Sequence, residues 1–191
     1  ALTVLFLMLL GLPFVVVYAR RDRALNVLLL SRGVSNLRQL FYEWLPHFLS
    51  LVCLAAVVFV PVLAMSGSTD NRVLLLLTSE EWRRFVLLFV PVLGMVSAFN
   101  LFIFEAGGNI VSATLLHFFS ALCMCYVSGC FYPVYTFPRA IQAVEQFLPS
   151  GMARGTLLMA VGTDVPRYPI VGVMLYAALF FVGALLIRSH K

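Results

Sequence analysis

Side chains that could carry out chemistry are few in this sequence and stand apart from one another. His47 and His117 are single histidines in different apolar runs, and no HExxH zinc motif is present. Glu80 and Glu81 lack the following arginine of a di-glutamate intramembrane protease, because Phe85 stands in its place. No GxSxG nucleophile motif and no GxxxxGK[ST] phosphate loop occurs. We therefore predict no catalytic residue, no metal site and no nucleotide site in this chain.

Four polar side chains lie in or beside apolar runs and form a candidate polar path: Asn100, Glu105, Asn109 and His117. Polar groups at such positions pair with one another or mark a functional site. For Glu105 two placements are open, the interior of a helical bundle or a tight turn at Gly107 and Gly108, and we favour the turn. For His117 we favour hydrogen-bonded packing over a ligand role.

The composition identifies the class of protein. Of the 191 residues, 62% are hydrophobic and 11% are charged, against about 45–50% and about 25% in soluble globular domains. The mean hydropathy of +1.02 excludes an ordinary soluble domain and a disordered chain. The net charge of +5 comes from residues between apolar runs, which indicates membrane topology and lipid headgroups as its partners rather than nucleic acid.

The apolar runs predict an all-α integral membrane protein with a single transmembrane domain over residues 1–191. A spanning helix needs about 20 mostly apolar residues. Five runs meet this length, at about 1–19, 45–65, 85–104, 110–130 and 168–187. Because basic residues crowd the span ends at 20–23 and 188–191, we expect these ends and the C-terminus to face the cytoplasm.

Two segments are neither spans nor plain loops. Residues 24–41 carry leucines at helical spacing between charges, which predicts an amphipathic interfacial helix bent near Gly33. Either a passive surface helix or a docking helix for a cytoplasmic partner fits that pattern. Residues 131–167 contain four prolines and two apolar stretches too short to cross a bilayer, which predicts a re-entrant helical segment on the outer side.

Three short segments, taken in order, carry a resemblance to a known family. The first is matched by Leu28, Leu29, Ser31, Val34, Ser35 and Arg38. The second is a small-Gly, aromatic-Pro step at Ser128, Gly129, Phe131, Tyr132 and Pro133. The third is matched by Phe137, Pro138, Ile141, Phe147, Leu148 and Pro149. Together they resemble the membrane subunit of type 2 ABC transporters, with Gly33 and Ser150 departing from residues common in that family.

The resemblance implies a permease subunit, mostly of exporters, that here lacks the family's first span and any domain following it. Because the sequence enters an apolar run directly at Ala1, we expect a longer protein. The implied ATPase-coupling residues are Leu28, Leu29, Arg32, Val34, Ser35 and Arg38. The implied outer gate is formed by Gly129, Phe131, Tyr132, Pro133, Pro138 and Pro149.

The partners that the resemblance implies are a second permease half, the same chain or a different one, and cytoplasmic ABC ATPase subunits. Those subunits would hold ATP and magnesium, and this chain would hold no cofactor. The implied location is the cell membrane, among its lipids. Two other classes stay open: a membrane scaffold or regulator without transport, and an intramembrane enzyme, for which the sequence has no motif.

Overall fold

The protein is described here by a computed structural model that covers residues 31–66, 80–129, 131–160 and 168–190. These residues form helices and turns, with no strand among them. The helices are α1 (Asn36–Ser66), α2 (Glu80–Gly107), α3 (Ile110–Val127), α4 (Arg139–Glu145), α5 (Pro149–Ala160) and α6 (Tyr168–Ser189), and a 3-10 turn covers Val134–Thr136.

Four of the helices are long and apolar enough to cross a membrane. The candidate spans are Asn36–Val57 in α1, Val86–Gly107 in α2, Ile110–Val127 in α3 and Pro169–Ser189 in α6. The prediction of a helical protein is therefore confirmed for the described residues, and four of the helices have the length and composition of membrane spans. The predicted first span, at about 1–19, lies outside the described residues.

The start of α1 differs from the sequence prediction. The interfacial helix was predicted over 24–41 with a bend near Gly33, and Arg32 and Gly33 do form a turn. The difference is that the helix after the turn, α1, begins at Asn36 and continues without a break into the span. Ser35 starts the helix, because its Oγ accepts a hydrogen bond from the Arg38 N–H at 3.4 Å. Gln39 and Leu40 are buried, whereas Leu37 and Phe41 are exposed, so this first part of α1 packs on the bundle by one face. Residues 24–30 lie outside the described part.

The centre of the bundle is α2, which packs against α1, α3, α5 and α6. Its side chains from Met95 to Leu101 are almost entirely buried. On α3 every fourth residue faces inward, at Ala113, His117, Ala121 and Cys125. On α1, Leu40, His47, Leu51 and Ala55 form the matching buried stripe. This helical periodicity is what brings the few polar side chains of the spans together.

The bundle has two distinct ends. The start of α1, the Gly107–Asn109 turn between α2 and α3, and the end of α6 lie together at what we name the turn end, where Arg188 contacts Glu43 and Glu105. The opposite end, which we name the cap end, holds α4 and α5 beside the end of α3 and the start of α6.

The cap-end segment folds into two short helices, as its prolines predict. Helix α4 has 7 residues and α5 has 12, so at 1.5 Å per residue the longer one extends about 18 Å. A hydrocarbon core is about 30 Å thick, so neither helix is long enough to cross it. The re-entrant placement of this segment stays a prediction, and residues 161–167 lie outside the described part.

Candidate functional site

Three helices each place one polar side chain at the same point of the bundle interior. These are His47 on α1, Asn100 on α2 and His117 on α3, and we name them the polar core. Their exposed fractions are 2%, 3% and 0%. Buried polar groups in a membrane span are stable only when they pair with one another. The packing of α1, α2 and α3 therefore has to satisfy all three side chains at once.

The amide of Asn100 bridges the two imidazoles of the polar core. Its Oδ1 lies 2.6 Å from His117 Nε2, and its Nδ2 lies 3.4 Å from His47 Nε2. An amide oxygen only accepts hydrogen bonds and an amide nitrogen only donates them. The Nε2 of His117 must therefore carry a proton, while the Nε2 of His47 must accept.

One aromatic ring and a second hydrogen bond between α1 and α2 lie near the polar core. The Phe99 ring lies 5.6 Å from the His117 ring, centroid to centroid. On the turn-end side, Trp44 Nε1 donates to Ser97 Oγ at 2.9 Å, which joins α1 to α2 again. The Trp44–Ser97 and His47–Asn100 contacts both join α1 to α2. A rotation of α1 about its own axis would break both and leave their polar atoms without partners, so the two contacts fix that rotation.

A buried ion-pair cluster joins three helices at the turn end. Arg188 Nη2 on α6 donates to both carboxylate oxygens of Glu43 on α1, at 2.9 and 3.1 Å. The same nitrogen lies 3.6 Å from Glu105 Oε1 on α2. The Arg188 side chain is only 7% exposed. The cluster therefore holds the end of α6 against the start of α1 and the end of α2.

The candidate polar path is thus only partly one site. Asn100 and His117 are in direct contact, as the path requires, and His47 completes the group. Glu105 is not in the turn that we favoured: it is a buried residue of the last turn of α2, next to Arg188. Asn109 is exposed and caps α3, because its Oδ1 accepts from the Ser112 N–H at 2.8 Å.

The sequence prediction missed His47, Glu43 and Arg188 as members of these groups. The signal was available for α1, because Leu40, His47 and Leu51 repeat at helical spacing and share one buried face. No such signal exists for Arg188, which lies at the edge of a span and gains its partners only through tertiary packing.

The residues of the expected outer gate lie at the turning points of the cap end. Gly129 follows α3 with φ of 74°, a backbone conformation that favours glycine. Pro133 precedes the 3-10 turn, Pro138 precedes α4, and Pro149 is the first residue of α5. The Tyr126 ring contacts three aromatic rings here, those of Phe131, Tyr132 and Phe137. Phe131, Tyr132, Pro133 and Pro138 are exposed, whereas Gly129 and Pro149 are buried.

Two serines attach α5 to the end of α3. The hydroxyls of Ser128 and Ser150 contact each other, and both lie within hydrogen-bonding distance of the Met124 carbonyl oxygen, at 2.7 and 2.9 Å. The Tyr176 hydroxyl on α6 donates to the Phe147 carbonyl. The start of α5 is therefore bonded to the end of α3, and the loop between α4 and α5 is bonded to α6.

An ion pair within the cap segment joins α4 to α5. Glu145 Oε1 lies 2.8 Å from Arg154 Nη2, and the Glu145 side chain is 5% exposed. Burial raises the pKa of the Glu145 carboxyl above its ordinary value of 4.5, and the neighbouring Arg154 opposes that rise. The sequence prediction did not single out either residue.

The expected ATPase-coupling residues lie around the start of α1, at the turn end. Arg32, Ser35 and Arg38 are exposed, and Val34 is half-buried with its carbonyl accepting from Gln39 Nε2 at 3.2 Å. Leu28 and Leu29 lie outside the described residues. The two exposed arginines make this surface basic.

Comparison with known proteins gives no relative for this chain. Known protein families, curated proteins and solved structures were each searched, and none of the three contains a match.

Proposed function

We propose that this chain is the membrane subunit of an ATP-driven ABC transporter of the exporter type. The observation that supports it most is the agreement between the family-like motif and the cap end. Gly129, Pro133, Pro138 and Pro149, which carry the resemblance, each stand where the chain turns or a helix begins. A motif whose residues coincide with these turns and helix starts supports the family resemblance more strongly than hydrophobicity alone does.

In this proposal the cap segment closes the outer end of a path between two permease halves. Helices α4 and α5 are too short to span, and the bonds from Ser150 and Tyr176 fasten them to the ends of the spans. Motion of α3 or α6 would then move the cap. Re-entrant placement in the outer leaflet belongs to the same proposal, as does the cell membrane as its location.

At the turn end, the exposed residues Arg32, Ser35 and Arg38 would dock on a cytoplasmic ATPase subunit that holds ATP and magnesium. ATP binding and hydrolysis there would shift the start of α1. Glu43 on α1 is bonded to Arg188 on α6, so a shift of α1 reaches α6 through a direct contact. This chain would supply the path, and its partner would supply the chemistry.

The test is co-purification of the tagged full chain from its native membrane in mild detergent. We expect an ATPase subunit bearing GxxxxGK[ST] to copurify with it. Reversing an exposed charge at the docking surface, Arg38→Glu, should reduce recovery of that subunit about tenfold or more, equivalent to about 1.4 kcal/mol or more of binding free energy.

The matched control is Arg139→Glu, which reverses an exposed arginine in the first turn of α4 at the cap end. It should leave recovery of the ATPase subunit unchanged. If the unmodified chain brings down no such ATPase, or if both reversals reduce recovery equally, the permease proposal is wrong.

A further inference from the structure

The hydrogen-bond directions in the polar core leave one acceptor without a partner. Because Asn100 Oδ1 can only accept, a neutral His117 carries its proton on Nε2, and its Nδ1 is then an acceptor. That Nδ1 is buried and has no hydrogen-bond partner in the described part of the chain. Leaving a buried acceptor unpaired costs about 1–3 kcal/mol, so the position of this atom calls for a ligand.

We propose that His117 Nδ1 is a proton-binding site, held in place by Asn100 and His47. A proton from solvent adds to the lone pair of Nδ1, one N–H bond forms, and no bond in the chain breaks. The Nε2–H of His117 keeps its hydrogen bond to Asn100 Oδ1, already short at 2.6 Å. The positive charge strengthens that bond, because hydrogen bonds from ionised donors are about twice as strong as neutral ones.

The same geometry excludes His47 as the first site of protonation. His47 Nε2 faces the Nδ2 donor of Asn100 at 3.4 Å. A proton on that nitrogen would place two donors against each other and would lose the hydrogen bond. The polar core therefore takes up one proton, at His117, while His47 stays neutral as the acceptor at the far end of the amide.

The charged groups around the polar core have both signs. Glu43 lies one turn from His47 on α1, and Glu105 lies beyond Asn100 on α2, close to Arg188 of α6. Among the described side chains, the other ionisable groups on the packed helices that are not exposed are Cys125 on α3, Tyr176 on α6 and Arg154 on α5, the last paired with Glu145 at the cap end. The carboxylates favour a cationic imidazole and the arginines oppose it. Because these charges act in both directions, the hydrogen-bond directions decide which imidazole binds the proton, and they select His117.

A proton bound here acts where α1, α2 and α3 meet. This is an activity beyond the proposed transport of a larger substrate, and it does not depend on the permease proposal. Chains of histidine and other ionisable side chains inside membrane bundles serve as proton relays in pumps and transporters. The ligand class of this site is accordingly the proton itself.

The experiment is nitrogen NMR on the full chain, labelled with ¹⁵N-histidine and reconstituted in phospholipid nanodiscs, over a series of pH values. The chain has three histidines, and exposed His190 serves as the internal reference. At neutral pH we expect His117 as the Nε2–H tautomer and His47 as the Nδ1–H tautomer. On acidification His117 should become doubly protonated while His47 stays neutral.

Substitution of the bridge tests the cause. In Asn100→Leu, the ordered protonation should be lost, with His117 and His47 titrating independently. Asn109→Ala is the matched control, because it removes an asparagine that only caps α3, and it should leave both histidine signals as in the unmodified chain. The proposal is overturned by the unmodified chain alone if His117 is the Nδ1–H tautomer at neutral pH, if His47 protonates first, or if His117 stays neutral until the helices unfold.

Discussion

The carboxyl group of Glu145 is buried, and its ion pair with Arg154 offsets only part of the free-energy cost of burying the charge. Its side chain is 5% exposed and contacts Arg154 at 2.8 Å. Burial nevertheless raises the pKa of Glu145 above 4.5. A raised pKa in the folded state means that the folded chain binds the proton more tightly than the unfolded chain does. The contribution to stability is therefore complete below pH 4.5 and is lost as the pH rises through the folded-state pKa.

This sign gives a testable pH dependence. We expect the thermal midpoint of the unmodified chain, minus that of Glu145→Gln, to fall as the pH rises from below 4.5. Glutamine keeps the size of the side chain and removes the titration, so the difference isolates Glu145. The midpoint is measured by circular dichroism in one detergent at constant ionic strength.

Arg154→Gln provides the second arm of that experiment. Arginine opposes the rise in the pKa of Glu145, so its removal should raise the pKa further and move the loss of stability to higher pH. A difference between the unmodified chain and Glu145→Gln that does not change with pH would contradict the assignment.

Among the elements, the spans were the most predictable from sequence. The runs at about 85–104, 110–130 and 168–187 correspond closely to α2, α3 and α6, because about 20 apolar residues without a charge leave few alternatives to a spanning helix. The start of α1 was less predictable. Hydropathy places the boundary at the last charge, Glu43, whereas the structure accommodates that charge by pairing it with Arg188.

The candidate site was predictable only where a polar residue interrupts an apolar run. Asn100 and His117 stand out as polar residues inside apolar runs, and the structure joins them. The Glu43, Glu105 and Arg188 cluster brings together residues from three separate helices. Sequence spacing carries no information about such tertiary contacts.

The junction between α4 and α5 depends on a glycine that permits close approach. A Cβ atom on Gly151 would contact the Glu145 carbonyl oxygen, which is backbone and cannot turn aside. We therefore expect Gly151→Ala to destabilise the chain by about 1–3 kcal/mol, the usual cost of overpacking. The thermal midpoint and the rate of proteolysis between α4 and α5 measure the effect.

Gly94→Ala is the matched control, since a Cβ there would meet only the Phe48 ring edge, at 4.0 Å. Gly94 is in the middle of α2, and alanine is favoured over glycine in helices by about 1 kcal/mol. The control should keep or raise the midpoint. Equal effects of the two substitutions would show that the close approach at Gly151 does not constrain the junction.

At the scale of the whole molecule, the bundle places its charged contacts at opposite ends. Arg188, Glu43 and Glu105 join at the turn end, and Glu145 and Arg154 pair at the cap end. Between them the polar core is surrounded by apolar side chains of α1, α2 and α3. Such an arrangement fits a bilayer, because charge near the ends of spans reaches the interface while charge at the centre is costly.

This arrangement predicts a membrane topology that labelling can test. In a chain whose four cysteines are replaced, single cysteines at exposed positions Ser35 and His190, both at the turn end, should react from the same side of the membrane. A cysteine at Tyr135, which is 79% exposed at the cap end, should react from the other. The crowding of arginines predicts that the turn end is cytoplasmic, so a membrane-impermeant thiol reagent added to intact cells should label position 135 only.

A cysteine at Phe119 is the control: it is exposed within the span of α3, where lipid should exclude a polar reagent from both sides. Labelling of Ser35 and His190 from opposite sides would contradict the bundle itself, whereas labelling of both from outside would reverse only its orientation.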